Sequence, residues 1–510
     1  MHLQETFDLD AALTIIGYGK FHYKIMVACA LCFISSGVQY GLTAYAMPAA
    51  HCELNLSSPQ IGIINSSFLI GAIFSSFLWG VIADSTGRKK LLITTLLLDS
   101  AVTVCCALSQ SANGIIACRF INGFLVGAPG SVTFSYMAEF HAPAHRAKTI
   151  YYAGVFFTIP WLILPALAWC ILTLKVDVVL GDFIFISPWR IFLMILALPE
   201  LLGGIWLIQL PETPKFLSAT DTEKALKVLH DMYEMNTKNN KETFPIKRIV
   251  KNLQVHDKLK PNVKMVNNDK LRKLVFEIFI QMFTLFKAPL RKSTTLITSI
   301  MFSNMFGYFG LGLWLPEVLV RKQENVTNNI TNSTDYYNNT CSFNFDTNLY
   351  QNTVIIGITA LIANILAGWL SGKVTKNAIP LVMLVLGAIC SAWIYWVDNE
   401  FQYLIASCIF QSSMSVANIA ISSVAVELFP TNVNAIGICA TMLAGRLGAI
   451  VSNTVFGFFI DKNPAVAIFL IIGILLFGAF LCLFISNSEK TEIEILNKSK
   501  TNPIFCITKN

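Results

Sequence analysis

Charge is what this sequence has least of. Only 13% of its 510 residues are Asp, Glu, Lys or Arg, while 55% are hydrophobic. A soluble domain carries about 25% charged residues. With mean hydropathy at +0.60, the apolar surface exceeds what one water-soluble core can hide, and the bilayer is the natural solvent. Catalytic signatures are missing too. There is no Walker loop, HExxH, G-x-S-x-G or dinucleotide fingerprint, which disfavours an ATP-driven pump or an enzyme. No catalytic residue, cofactor or nucleic-acid partner is expected. The thirteen cysteines form no metal-spaced cluster with histidine. His141-x-x-x-His145 has metal-like spacing, but Pro143 interrupts a helix there and no third ligand is near, so no metal is expected. The polar start lacks a signal-peptide cleavage site, so the first span is expected to stay in the mature protein.

What is present is a set of apolar runs, each near the 20 residues or so that cross about 30 Å of hydrocarbon. They lie near 25–48, 60–82, 91–108, 114–138, 150–173 and 189–210, then 294–320, 352–371, 378–397, 401–424, 436–459 and 465–486. Six spans, a break and six more predict an all-α membrane protein of two six-helix bundles. The domains read as an N-tail 1–24, a bundle 25–210, a basic linker 211–293, a bundle 294–486 with a polar loop 321–351, and a C-tail 487–510. With both termini cytoplasmic, 30 of the 37 Lys and Arg residues fall inside and five in the opposite loops, so the positive-inside rule favours that orientation. A multi-pass protein of the plasma membrane or an intracellular vesicle follows. Membrane lipid is its first partner; oligomeric state is not set by the sequence, and a monomer is the expectation.

The linker holds 17 basic against 9 acidic residues. Its stretch 221–235 has helical periodicity in Ala225, Leu226, Val228, Leu229 and Met232. Two readings stand: amphipathic helices drawn to anionic lipid, or a solvated connection between bundles. The two halves repeat weakly. Gly80-x-x-x-Asp84 matches Gly368-x-x-x-Gly372, and Glu139 to Pro143 resembles Glu427-Leu-Phe-Pro430, both at an offset of 288. Such symmetry marks transporters built from repeats.

The segment Gly80-Val-Ile-Ala-Asp84-Ser-Thr-Gly87-Arg88-Lys89-Lys90 fits G-x-x-x-D-x-x-G-R-[RK]. Its glycines permit a tight turn and close helix approach. Asp84 can face a helix N-terminus, and Arg88 can pair with a carboxylate at a helix end. With Arg119-Phe-Ile-Asn-Gly123, Phe134-Ser-Tyr-Met-Ala-Glu139, Arg146, Trp189-Arg190, Pro211-Glu-Thr-Pro-Lys215 and Glu427-Leu-Phe-Pro430, it resembles the sugar and organic-ion branch of the major facilitator superfamily. FSYMAEF, GYFGLGLWLPE and AMPAAHCELNLSSPQIGI are similar to the synaptic vesicle glycoprotein 2 family and related proteins. The resemblance implies alternating access, and a cytoplasmic gate made by Gly80, Asp84, Gly87, Arg88, Glu139, Arg146 and Glu427. It also implies two competing functions: transport of a small organic solute, or a binding or trafficking protein that keeps the fold without transport. The acidic pair common in helix 1 of that branch is absent from Ser36-Gly-Val-Gln39.

Asp99 and Arg119 are intramembrane charges on neighbouring spans, expected to pair because a lone charge at mid-membrane costs at least about 2.5–3.5 kcal/mol. A structural ion pair and a transport role are both open. Gln39, Asn304, Gln411 and Asn418, with Tyr308 and Trp314, are candidates for a substrate cavity; the alternative is that the amides bond helix to helix. Sequons at Asn325, Asn329, Asn332 and Asn338 make loop 321–351 a glycosylation site. Asn55 begins another close to the bilayer, and Asn65 one inside a helix, where it stays unmodified. Cys52 and Cys341 are the two cysteines in non-cytoplasmic loops. A disulfide between them or two free thiols are the alternatives.

Overall fold

The structure is a computed structural model that describes residues 8–174, 178–180, 184–246, 285–287, 290–330, 347–370, 377–397, 399–429 and 434–485. Cys341 and the sequons at Asn332 and Asn338 lie outside these residues, as do the side chains of Cys52, Asn325, Asn329 and Glu427. The Cys52–Cys341 pairing and the role of Glu427 therefore lie outside the described residues.

Among the described residues, eleven helices are long and apolar enough to cross a membrane, and Ser58–Ser75 with Leu78–Thr86, bent by 43°, makes a twelfth. The chain begins with α1 (Leu9–Ile16), α2 (Lys20–Gly41), α3 (Thr43–Leu54), α4 (Ser58–Thr86), α5 (Arg88–Leu108) and α6 (Ala112–Ala138). Then come α7 (Pro143–Thr158), α8 (Pro160–Leu172), α9 (Pro188–Leu196), α10 (Leu198–Ile208), α11 (Pro214–Thr220) and α12 (Thr222–Thr237). The rest is α13 (Arg291–Ile330), α14 (Thr347–Leu370), α15 (Ala378–Trp396), α16 (Glu400–Leu428), α17 (Asn434–Phe459) and α18 (Pro464–Cys482). A short antiparallel hairpin, Val178–Leu180 with Ile184–Ile186, joins α8 to α9.

Helix boundaries follow local chemistry. Ser111 caps α6 by accepting from Gly114 N at 3.2 Å, and Asn399 caps α16 by accepting from Phe401 N at 2.9 Å. Pro160 has no N–H to continue the ladder, so the expected span over 150–173, which crosses as Val155–Leu172, is jointed between α7 and α8. Pro199 likewise divides 189–210 into α9 and α10, and Ser100 Oγ donates to Ala197 O at the break. Helix α13 runs to Ile330, so Asn325 and Asn329 stand on helical backbone, not in the expected loop.

The chain divides into two compact units, Met1–Ala50 with Ile70–Arg272, and His51–Leu69 with Lys273–Asn510. The division differs from a clean break in the linker, because the first half of α4 goes with the second unit. There Ser58 Oγ donates to Asp461 Oδ1 at 2.9 Å, and Asn65 Nδ2 to Asn453 Oδ1 at 3.3 Å. Asn65 is thus committed to a buried helix contact. Asn55 is exposed in the turn between α3 and α4 at φ +48°.

The first unit holds two corrections. The N-tail is not merely a polar tail: α1 docks, burying Ala12, Leu13 and Ile16. Residues 221–235 do form a helix, but its apolar face is not free for lipid. Ala225, Val228, Leu229 and Met232 are buried in one cluster with Leu13, Ile16, Phe244 and Ile246. The hydrophobic effect is satisfied by protein instead of acyl chains.

Candidate functional site

Each end of α5 is held by a charge from elsewhere in the chain. At its start, Gly87 has φ +96° and ψ 149°, a region open essentially to glycine. The first N–H groups of a helix lack intrahelical acceptors and carry positive partial charge. Glu212 supplies the acceptor: its Oε1 takes Arg88 N at 3.1 Å and Lys89 N at 3.1 Å. A Cβ on Gly87 would collide with the Glu212 carboxylate. Asp84 was the expected carboxylate at a helix N-terminus, but its side chain is 72% exposed and pairs with Arg88 at 2.8 Å. Arg88 also meets Glu139 at 3.3 Å, just past the end of α6. Gly80 has no described atom within 4 Å of a Cβ position, so close packing there does not explain it. At the far end of α5, Arg190 donates to Ala107 O and Ser109 O, both at 2.7 Å. Arg190, 3% exposed, is a buried cap of the α5 C-terminus.

Glu139 is buried, and burial lifts its carboxyl above the usual range although Arg88 pulls the other way. Arg146 pairs with Asp10 of α1, an acidic partner the sequence reading left in the tail. His141 donates Nδ1–H to Met137 O at 2.7 Å and sits edge-on to His22, ring centroids 4.6 Å apart. Burial holds its imidazole below the ordinary value, with His145 and Arg146 adding to the effect.

Deeper in the same unit lies a polar network. Asp99 and Arg119 do not form the expected direct pair. Arg119 donates to Gln39 Oε1 at 2.6 Å and Gln39 O at 2.7 Å, whereas Asp99 Oδ1 accepts from Asn122 Nδ2 at 2.6 Å. Gln39 turns its amide nitrogen to Glu200 Oε1 at 2.5 Å and Thr103 Oγ1 at 2.7 Å. Gln39 is therefore no neutral cavity wall; it links a guanidinium to a carboxylate. Glu200, fully buried, was missed, although the rule that singles out Asp99 and Arg119 applies equally to a carboxylate inside 189–210. Asn122 stands one turn after Arg119 on α6, and Thr103 one turn after Asp99 on α5.

The second unit holds the remaining candidates on two of its helices, α13 and α16. Gln411 Oε1 is 3.1 Å from a Cβ position on Gly312, and Met414 Sδ 3.3 Å from one on Gly307. These pairs run in opposite order, so α13 and α16 are antiparallel. Asn304 is 0% exposed with neither amide atom hydrogen-bonded to protein, and Gln411 Oε1 also lacks a protein partner. Buried amides normally find partners, so these are spare hydrogen-bonding capacity. Tyr308 lies one turn beyond Asn304. Trp314 leaves this group: its Nε1 donates to Asn453 Oδ1 at 3.1 Å.

A bundle of apolar helices with sealed charges and spare buried amides defines a multi-pass membrane protein of the transporter type. The profile of the Major Facilitator Superfamily matches residues 29–453, and the chain belongs to that family. It is 22% identical over 366 residues to synaptic vesicle glycoprotein 2C of Mus musculus, covering 67% of this chain and 50% of the relative. Over 584 aligned positions it is 21% identical to synaptic vesicle glycoprotein 2B of Rattus norvegicus, covering 93% and 84%. The chain spans about half the length of the 2C relatives it matches. Its fold is similar to the partially occluded inward-open xylose transporter XylE from E. coli, at TM-score 0.62 and 15% identity, covering 92% of this chain and 99% of that one. A D-xylose-proton symporter structure gives TM-score 0.63 at 15% identity, covering 91% and 97%.

Proposed function

We propose that this protein moves a small, uncharged, hydrogen-bonding organic solute across a membrane by alternating access, with both termini cytoplasmic. The observation that carries the solute class is the pair of buried, unpartnered amides Asn304 and Gln411 on facing helices. Amides offer donors and acceptors without net charge, which suits hydroxyl or amide groups. Fold alone does not supply a substrate; the family and the site together support the reading. The orientation rests on the 17 basic residues of the linker and on the short loops. The plasma membrane and an intracellular vesicle both fit.

The test is thermal stabilisation of the purified protein across sugars, polyols, nucleosides and organic ions, since a ligand of the native state raises its apparent stability. Asn304→Leu and Gln411→Leu should abolish the stabilisation while leaving the unliganded protein as stable as before. Stabilisation by organic cations alone, or hits unaffected by both changes, refutes the solute class. A second reading is favoured by Gln39 standing where the branch carries acid: a binding protein without transport. A stabilising solute that proteoliposomes never accumulate or release would select it.

A further inference from the structure

Two cysteines from different helices meet in the first unit. Helices α5 and α6 make an antiparallel hairpin joined by residues 109–111. The turn is tight: a Cβ on Gly114 would collide with Ser109 Oγ, so glycine lets α6 start close against the end of α5. Asn122 fixes the register, since its Nδ2 donates to Thr103 Oγ1 at 3.0 Å and to Asp99 Oδ1 at 2.6 Å. Helix residues three or four apart share a face. One turn nearer the connection, Cys106 follows Thr103 by three residues and Cys118 precedes Asn122 by four. The two side chains therefore come level on facing sides, and the Cys106 S–H donates to the Cys118 sulfur.

A third thiol is near, but it faces elsewhere. Cys105 is exposed on α5, whereas Cys106 is buried and Cys118 half-buried at the α5–α6 contact. An oxidant thus reaches the contact at Cys118 and finds Cys106 behind it. Both sulfurs are close to the outer helix ends. Cys106 is two residues from the last of α5 and Cys118 six from the first of α6, within about 9 Å of helix rise. With both termini cytoplasmic, these ends face the lumen or the exterior, where disulfides persist.

We infer that Cys106 and Cys118 are a disulfide site, closed by a low-molecular-weight disulfide of the non-cytoplasmic side; the compartment rests on the orientation proposed above. The exchange runs in two steps. The Cys118 thiolate attacks one sulfur of the oxidant, forms a mixed disulfide and expels the first thiol. Cys106 then gives up its proton and attacks the Cys118 sulfur, expelling the second. One protein S–S bond forms, the oxidant's S–S bond is reduced, and its two released thiols take the two protons. The closed bond fixes α5 against α6 beside Arg119, whose guanidinium holds Gln39 at 2.6 Å and 2.7 Å.

The test is alkylation mapping of the full-length protein. Trypsin cuts after Lys90 and Arg119, so one peptide, 91–119, carries Cys105, Cys106 and Cys118. Purified protein is equilibrated in a glutathione buffer poised as in the secretory lumen, blocked with N-ethylmaleimide and digested. The wild-type peptide should carry one maleimide, on Cys105, and three when dithiothreitol precedes the block. Cys105→Ser should carry none before reduction and two after it. Adding Cys106→Ser to that variant should leave Cys118 labelled without reduction. Two maleimides on the unreduced Cys105→Ser peptide, or a stable glutathione adduct on Cys118, overturns the inference. The same mapping is then made on native membranes blocked before solubilisation, with an epitope on the C-tail probed by protease from the cytosolic side. Free Cys106 and Cys118 with a cleaved epitope overturns the bond in the cell and leaves the orientation standing. A protected epitope overturns the orientation, while the buffer result still decides whether the two sulfurs pair.

Discussion

Gly87→Ala is the sharpest probe of how the segment 80–90 is held. The backbone there sits at φ +96°, where a side chain costs about 1–3 kcal/mol of strain. The new methyl would also displace the Glu212 carboxylate from Arg88 N, Lys89 N and its own neighbour Thr213 N. Losing a helix cap costs about 0.5–2 kcal/mol. The two effects together predict about 1.5–5 kcal/mol of destabilisation. Glu212→Ala alone forfeits only the cap. In the double variant the cap is lost once, so the combined effect should fall short of the sum by about 0.5–2 kcal/mol. The assay is heat inactivation of purified protein in detergent, compared as half-lives at one temperature because unfolding is irreversible for such proteins. Strict additivity would show that the glycine and the carboxylate act independently, contrary to the geometry. A Gly87→Ala protein as durable as wild type would refute the strain argument as well.

Three further outcomes follow from the same helix-end chemistry. Burial raises the Glu139 carboxyl, so its contribution to stability is present below the ordinary carboxyl range and lost as pH rises through the folded value. Glu139→Gln should flatten that fall in a wild-type-minus-variant comparison; identical pH profiles would refute it. His141 is shifted down, so its contribution is present above the ordinary imidazole value, about 6.5, and lost as pH falls through the folded one. His141→Gln should make the protein less sensitive to acid, read as melting midpoints at pH 7.5 and 5. Docking of α1 should depend on packing more than on charge. Leu13→Ala, at a 2% exposed position, should cost about 2–5 kcal/mol and speed hydrogen exchange in residues 9–16. Asp10→Asn, in a half-exposed pair, should cost under about 1 kcal/mol.

The spans, their number and the family were legible in the chain because the bilayer imposes a one-dimensional requirement: about 20 apolar residues in a row. Caps and breaks are nearly as local, which is why Pro160 and Pro199 mark helix joints that a hydropathy reading merges. Glycosylation sequons are local for the same reason. What the sequence could not decide was partnership. Asp99 and Arg119 stand out singly, yet nothing in their spacing shows that Gln39 and Asn122 come between them and their expected contact. Glu212 is 124 residues from the N–H of Arg88 that it caps, and Asp10 is 136 from Arg146. The apolar face of α12 has the periodicity of a lipid-binding helix, and only the docking of α1 shows that protein covers it. A buried charge or apolar stripe must be satisfied by something. Its residue type and burial are encoded nearby, but which distant group satisfies it depends on how the helices pack, and that is set by the fold as a whole.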